Sequence, residues 1–432
     1  MKEHATGARR SLSYLAVLTL MTMTGAAWAQ ATPADVPPVP PPPPAAEMAP
    51  PPPPVPPPAA AMPPAVEATP PPAPTPPTAS DAMPATRPEA LPPIDVGAWL
   101  RVSGKFQGTD VSKVNDWHMD NAYVELHAGG KVHKNVGVTL NLNANMLNFK
   151  SDGSSAVYVE DAIVSFDFMD ELHLWAGHLL VPVDRSNASG PFFMIPWNYP
   201  GFFAGVAAPK EGPFGRNNGA VVWGDIAGGR LTYLVGAFDN GDVGTSPLIS
   251  GRVRLALWDP EPGFWGNGSY FGEKDMLSIG VGAQFQKHGS ALTDPTTGAI
   301  ISDKNWADVN ADALIEKKLG GGSFVTGEAA YYHQNVLDGA ISDSFYVLAA
   351  YATPTIGVGS IQPMVRYQWE KVKNVSGTSP WNLDVGLSYL IKGPALRAVA
   401  TYSHTNFGVL GGGGSGPSSA NSVQLGAQAI FF

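Results

Sequence analysis

Arg252 and Arg254 stand two residues apart in the run SGRVRLALW (250–258), interleaved with Val253, Leu255 and Leu257. Successive side chains of an extended chain point to opposite faces, so both guanidinium groups share one face and the apolar side chains the other. Two cations stacked on one wall make a short basic ladder, and like charges lining an aqueous passage select ions. The same alternation places Arg101, Lys105, Arg230, Arg366 and Arg397 on polar faces, with Asp161, Asp167, Asp308, Asp312, Glu328 and Asp384 among them. Two readings are open for this mixture. Free charges would screen solutes, and replacing Arg252 and Arg254 by alanine would move ion preference toward cations. Paired charges would merely stiffen the wall.

Other groupings lead nowhere chemically. His288, Gly289 and Ser290 have the His-x-Ser spacing of barrel lipid hydrolases, but a nucleophile also needs an oriented base and an oxyanion site. Neither is identifiable, no catalytic residue is assigned, and a surface turn is the plainer reading. The run DVNAD (308–312) has oxygen donors at alternate positions, without the glycine and glutamate that complete a calcium loop. Cysteine is absent, which excludes disulfides and thiolate metal sites. No metal and no cofactor is expected. The net charge of −10, with no basic stripe, gives no reason to expect nucleic acid.

These charges need strands to carry them. In VGVTLNLNANML (136–147), Val136, Val138, Leu140, Leu142, Ala144 and Met146 share one face, and WNLDVGLSYLI (381–391) repeats the pattern. Sixteen such runs are expected, near 97–106, 118–128, 136–147, 156–168, 172–181, 218–226, 230–238, 249–258, 276–287, 306–318, 323–334, 343–353, 358–370, 381–391, 395–405 and 421–432. Tight connections such as MDE (169–171), AGG (227–229) and GGG (320–322) follow even-numbered runs, and looser ones follow odd-numbered runs. Strand lengths and this asymmetry predict an all-β fold, a transmembrane antiparallel β-barrel with short periplasmic turns and longer outside loops. One connection disobeys: PEPGFWGNGSYFGEKD (260–275) is long where parity demands a short turn, so either it folds as a covered turn or the strand count is off by two. Trp99, Phe168, Trp258, Trp369, Trp381 and Tyr402 are candidates for interfacial aromatic girdles, and the chain stops on Phe432, as a closing strand would.

Three segments follow. Residues 1–29 read as a secretory signal peptide, with Lys2, Arg9 and Arg10 before an uncharged run and AWA (27–29) before the cleavage point. Residues 30–94 are a proline-rich low-complexity segment holding 28 of the 43 prolines, counted over 32–93, and should lie in the periplasm. Fully extended at about 3.1 Å per residue, it would reach roughly 190 Å, enough to touch the cell wall. Residues 95–432 form the barrel.

The longest connection, 182–217, contains GPFFMIPWNYPGFF (190–203). Pro191, Pro196 and Pro200 bar any regular element there. Left outside, Phe192, Phe193, Trp197, Tyr199, Phe202 and Phe203 would make a sticky patch. Folded into the barrel they would pack on its inner wall and narrow the channel, with Asp184, Arg185, Lys210, Glu211 and Arg216 facing the pore. A latch against a neighbouring subunit is the competing reading.

The stretch VEDAIVSFDFMDELHLWAGHLLVPVDRSN (159–187) resembles a segment of the bacterial phosphate-selective porin O and P type family, with Asp161, Ala162, Gly177 and Pro182 carrying the pattern. The resemblance implies an outer-membrane, homotrimeric channel among membrane lipids, passing small hydrophilic solutes or ions, with phosphate as the preferred anion of one sub-group. This chain departs from that sub-group: residues 94–432 hold 22 basic and 30 acidic residues, a balance of −8, and the third loop lacks a lysine cluster. A barrel that anchors the proline-rich segment as a structural tether is the alternative.

Overall fold

The computed structural model describes residues 93–110, 116–145, 157–200, 215–239, 246–289, 292–293, 300–302, 304–335, 341–373, 379–407 and 418–431. The signal-peptide and proline-rich readings therefore lie outside the described residues, as do Phe202, Phe203, Lys210, Glu211, Ser290 and Phe432.

The described residues form a closed barrel of sixteen antiparallel strands. The first eight are β1 (Asp95–Thr109), β2 (Asp116–His133), β3 (Val136–Asn145), β4 (Val157–Met169), β5 (Leu172–Leu180), β6 (Arg216–Ile226), β7 (Leu231–Asp239) and β8 (Leu248–Ala256). The second eight are β9 (Met276–Gln286), β10 (Trp306–Gly320), β11 (Ser323–Asn335), β12 (Ile341–Ala352), β13 (Ser360–Val372), β14 (Trp381–Leu390), β15 (Leu396–Asn406) and β16 (Ser419–Phe431). A small ribbon pairing Leu292–Thr293 with Ile300–Ser302 decorates the β9–β10 connection. Each strand pairs with its neighbours in sequence, and β1 closes on β16 in a continuous register from Ala98 opposite Phe431 to Thr109 opposite Ala420. Closure leaves no free edge, so strand backbone groups can pair along the ladder without water.

The barrel is inside out relative to a water-soluble protein. Val235, Val253, Val281 and Val385 point outward, each about half exposed, while Arg252, Arg254, Asp308 and Asp384 point inward and are buried. Period-two alternation is the cause, because a one-residue slip would turn every charge outward. Phe168, Trp258 and Tyr402 lie on the outer surface. Trp369 and Trp381 are half-buried among outward rings, against Phe345 and Tyr367 respectively. Trp99 does not join this girdle: it faces inward, its ring 5.0 Å from that of Phe192.

Tight turns join β4 to β5, β6 to β7 and β10 to β11, the last through Gly320, Gly321 and Gly322, all at positive φ (91°, 60° and 79°), a conformation that costs glycine little. The exception, between β8 and β9, does not change the strand count. It folds into the barrel as a covered turn: Phe264 stacks on Trp175 at 4.6 Å and meets Trp223 edge-on at 5.9 Å. Glu316 on β10 holds it by accepting from the Ser269 hydroxyl (2.7 Å) and the Gly272 N–H (2.7 Å).

From the opposite end, the connection after β5 also turns inward. A five-residue helix, α1 (Arg185–Ser189), is capped by Asp184, whose carboxylate accepts from the Asn187 N–H at 2.6 Å. Its entry segment packs into an apolar cluster of Leu179, Val181, Val183, Leu234, Phe238 and Phe264, which fills the lumen beside β5–β9.

Orientation of the outer face is open to a direct check. Val253→Lys, an outward position on β8, should destabilise the barrel in lipid vesicles by about 2–4 kcal/mol, read as a lowered urea midpoint. An unchanged midpoint would mean that Val253 does not meet hydrocarbon.

Candidate functional site

The site is the set of contacts by which the third loop, entering after β5, crosses the lumen. Its first part is held by β8–β10. Ser250 donates to the Pro182 carbonyl, and Arg252 donates to the Val183 carbonyl at 3.1 Å. The inward positions Gly280 and Gly282 of β9 leave room for this passage: a Cβ at Gly282 would lie 2.2 Å from the Val183 oxygen, and one at Gly280 would meet the Arg252 guanidinium at 2.3 Å.

At the start of α1 the charges interlock. Arg185 donates in bidentate fashion to Glu261 (2.6 and 2.8 Å) and donates to the Ser278 hydroxyl at 2.7 Å. Its Nε lies 3.5 Å from Asp312. Arg252 grips Asp312 through both terminal nitrogens (2.6 and 2.9 Å). Arg254 lies 3.3 Å from Glu261 and donates to the Glu261 and Gly263 carbonyls. Three arginines and two carboxylates thus join the loop, the wall and the covered turn. Asp184 adds a third carboxylate alongside, accepting from Tyr332 at 2.6 Å. Burial alone would push the Glu261 carboxyl up, but the Arg185 guanidinium, its hydrogen bonds and Arg254 outweigh it and hold the carboxyl well below the usual range. Burial raises Asp184, and its bonds from Tyr332 and Asn187 offset only part of the rise.

The second part of the loop is held by β1, β13, β15 and β16. Arg101 donates to the Trp197 carbonyl and lies 4.0 Å from that ring's centroid, a cation–π contact. Arg397 donates to the Met194 carbonyl (2.7 Å), Arg366 to that of Asn198 (2.8 Å) and Gln428 to that of Phe192 (2.9 Å). Phe192 and Trp197 are buried, and the Trp197 ring lies on Gly426, whose added Cβ would come within 2.7 Å of it. The aromatic segment thus packs on the inner wall. Phe193 sits edge-on to Trp99 at 5.4 Å, and Tyr199 is half-buried.

The remaining charged positions fall in different places. Arg252 and Arg254 do stack on one wall, but each is tied to a carboxylate. Arg366 pairs with Asp384 at 2.8 Å. Asp161 pairs with Arg216, which also lies 3.2 Å from Glu160. Arg216 is the first residue of β6 rather than part of the loop, because the ladder with β5 extends to Leu180 opposite Arg216. Arg230 leaves the wall altogether: it is exposed in the β6–β7 turn and donates to the Trp258 carbonyl at 2.9 Å. Asp167, near the turn end of β4, lies 2.9 Å from His173. Lys105 stands on the inner face of β1, level with Gln424. Asp308 accepts from Asn310 (2.7 Å) and Glu328 from Tyr346 (2.6 Å). His288 sits in the turn after β9 at φ 62°, its N–H directed at Asn305.

Glu261 is the central residue that alternation could not find, since it lies in a connection. Its signal was there: the one long connection on the short-turn side needs something inside the barrel to hold it. Gly280, Gly282 and Gly426 were equally silent, although a glycine at an inward strand position marks close approach by another segment.

No protein-family profile matches the chain, and no curated protein matches it. Solved structures share its architecture. OprB of Pseudomonas putida superposes with a TM-score of 0.59 at 10% identity, over 78% of this chain and 94% of that one. The anion-selective porin from Comamonas acidovorans gives 0.53 at 12% identity, over 78% and 99%. OmpF of Salmonella typhi gives 0.52 at 12% identity, over 79% and 98%. Likeness at these identities is likeness of fold, that of outer-membrane β-barrels. The resemblance to phosphate-selective porins stays with the sequence stretch that carries it.

Arg185→Ala would leave Glu261 short of its bidentate partner in a buried setting. A loss of about 3–5 kcal/mol in unfolding free energy is expected, measured by urea titration in vesicles. The sign of the pH dependence follows from the depressed carboxyl: the contribution is complete above the ordinary glutamate pKa of about 4.3 and is lost as pH falls below it. An Arg185→Ala variant whose acid unfolding midpoint matches that of the wild type would contradict this clasp.

Proposed function

We propose that this chain is an outer-membrane porin through which small hydrophilic solutes or ions diffuse passively. One observation carries the reading: a closed barrel apolar outside and charged inside, with its longest described connection folded through the lumen. An outward apolar face suits membrane lipid, and sixteen strands enclose more space than their own side chains fill. The third loop then acts as a constriction, because its backbone spans from the β8–β10 wall to the β1–β16 seam. Solutes are sorted by size and by whatever charge the loop leaves unanswered, with no covalent step.

In this reading residues 1–29 direct export and are removed, residues 30–94 occupy the periplasm within reach of the cell wall, and three copies associate as a homotrimer among outer-membrane lipids. Phosphate preference has weaker support. It would draw on lumenal arginines, yet Arg252, Arg254 and Arg366 each serve a carboxylate, and Arg397 serves a loop carbonyl.

Planar bilayers test the proposal. The purified protein should conduct, and deleting residues 190–200 should raise single-channel conductance. No conductance by the full chain would sink the channel reading. An unchanged value in the deletion variant would take the loop out of the path.

A further inference from the structure

The lumen is not filled evenly. Beside β5–β9 the apolar cluster and the covered turn close it. Along β1, β15 and β16 the loop's carbonyls and rings lie against the wall. Between the loop and β11–β13 a narrow, half-open crevice of about 10 Å³ remains, room for a single water, lined by Ser186, Met194, Pro196, Glu328, Tyr346 and Arg366.

Charge is uneven in the same sense. Among the described residues, Asp308, Glu328 and Glu370 point inward from β10, β11 and β13, and no basic side chain lies within ion-pair distance of any of them. Their hydrogen-bond partners are neutral: Asn310, the Tyr346 hydroxyl and the Ser342 hydroxyl. The wall arginines, by contrast, are taken up by Asp312, Glu261, Asp384, Glu160, Asp161 and loop carbonyls. Lys105 on β1 and Arg397 on β15 have no carboxylate within ion-pair distance among the described residues, Arg397 donating instead to loop carbonyls and Gln428, and both stand on strands outside this wall.

Register orders the three carboxylates. Asp308 is level with Gln334 and Ser342, and Glu370 is level with Ser344, both near the loop end of the barrel. Glu328 is level with Leu348 and Arg366, six residues deeper on β11, about 20 Å along the strand. A second observation follows the same line. Asp308 Oδ1, Gln334 Nε2, Ser344 Oγ and Ser186 Oγ are buried polar atoms without a protein partner, and Ser186 lines the crevice beside Glu328. Buried polar groups left so by the protein are normally answered by water or a solute.

We infer that the passage runs between the third loop and the β10–β13 wall, and that Asp308, Glu370 and Glu328 make it prefer cations, small ammonium compounds included. This rests on the channel reading. Successive carboxylates lower the electrostatic barrier for a cation and raise it for an anion, as acidic rings do in cation channels.

The test is zero-current potential across planar bilayers in a potassium chloride gradient. The sign should report potassium permeating faster than chloride, and conductance should largely persist when gluconate replaces chloride. Glu328→Gln and Asp308→Asn should each lower the potassium-to-chloride permeability ratio toward one, Glu328→Asp should retain it, and Asp343→Asn on the outer face should leave it alone. A chloride-side potential in the wild type would overturn the inference while leaving a channel. So would ratios that neither carboxylate variant moves. Absence of any conductance would instead fell the porin reading on which it stands.

Discussion

A guanidinium with no exposure to water must have its charge and its donors answered by the protein, and Arg185 is such a group, answered by carboxylates. Its position at the start of α1 fixes where the third loop enters the lumen. Its partners, Glu261 and Asp312, come from the covered turn and from β10. Without that pairing the loop, the wall and the turn would meet only through the apolar cluster and the neighbouring hydrogen bonds. The barrel itself would still close, because its ladder is satisfied strand by strand. What the clasp decides is which part of an otherwise wide lumen is shut.

The two halves of the loop use different physics for the same end. The entry half relies on paired charges and on apolar packing of Val181 and Val183 against Leu234 and Phe238. The exit half presents neutral carbonyls to Arg101, Arg366 and Arg397, and aromatic faces to the wall. Prolines at 191, 196 and 200 make sense in that half. A segment barred from helix and sheet has carbonyls to spare, and arginine, with five donors in a fixed fork, is suited to collect them. This is why a lumen rich in arginine is not thereby a lumen with free positive charge.

The architecture was readable from the residues because one cause, alternation, acts at every strand. VGVTLNLN places Val138 and Leu140 outward and RVRLALW places Val253, Leu255 and Leu257 outward, and all sixteen expected runs became strands with ends shifted by a few residues. The readings that shifted lie where alternation carries no information. Arg230 has the residue type of a wall cation but belongs to a turn. Trp99 has the type of a girdle residue but turns inward, where Phe192 and Phe193 offer ring surface. β7 alternates poorly, since Leu234 and Phe238 face in while Val235 faces out, and the inward pair is apolar only because the loop and turn pack on it. Who pairs with whom across the lumen depends on contacts distant in sequence, such as Arg185 with Glu261, which no local pattern encodes.

The first and last strands of the barrel meet under the aromatic half of the loop: Arg101 and Trp99 come from β1, Gln424, Gly426 and Gln428 from β16, and Trp197 and Phe192 lie across both. The segment from the middle of the chain thereby staples its two ends. The contacts that close the seam and those that dock this segment share residues, so a barrel with its seam ajar would also have an unsettled interior. Resistance to prying the cylinder open should accordingly be borne in part by side chains that never touch hydrocarbon.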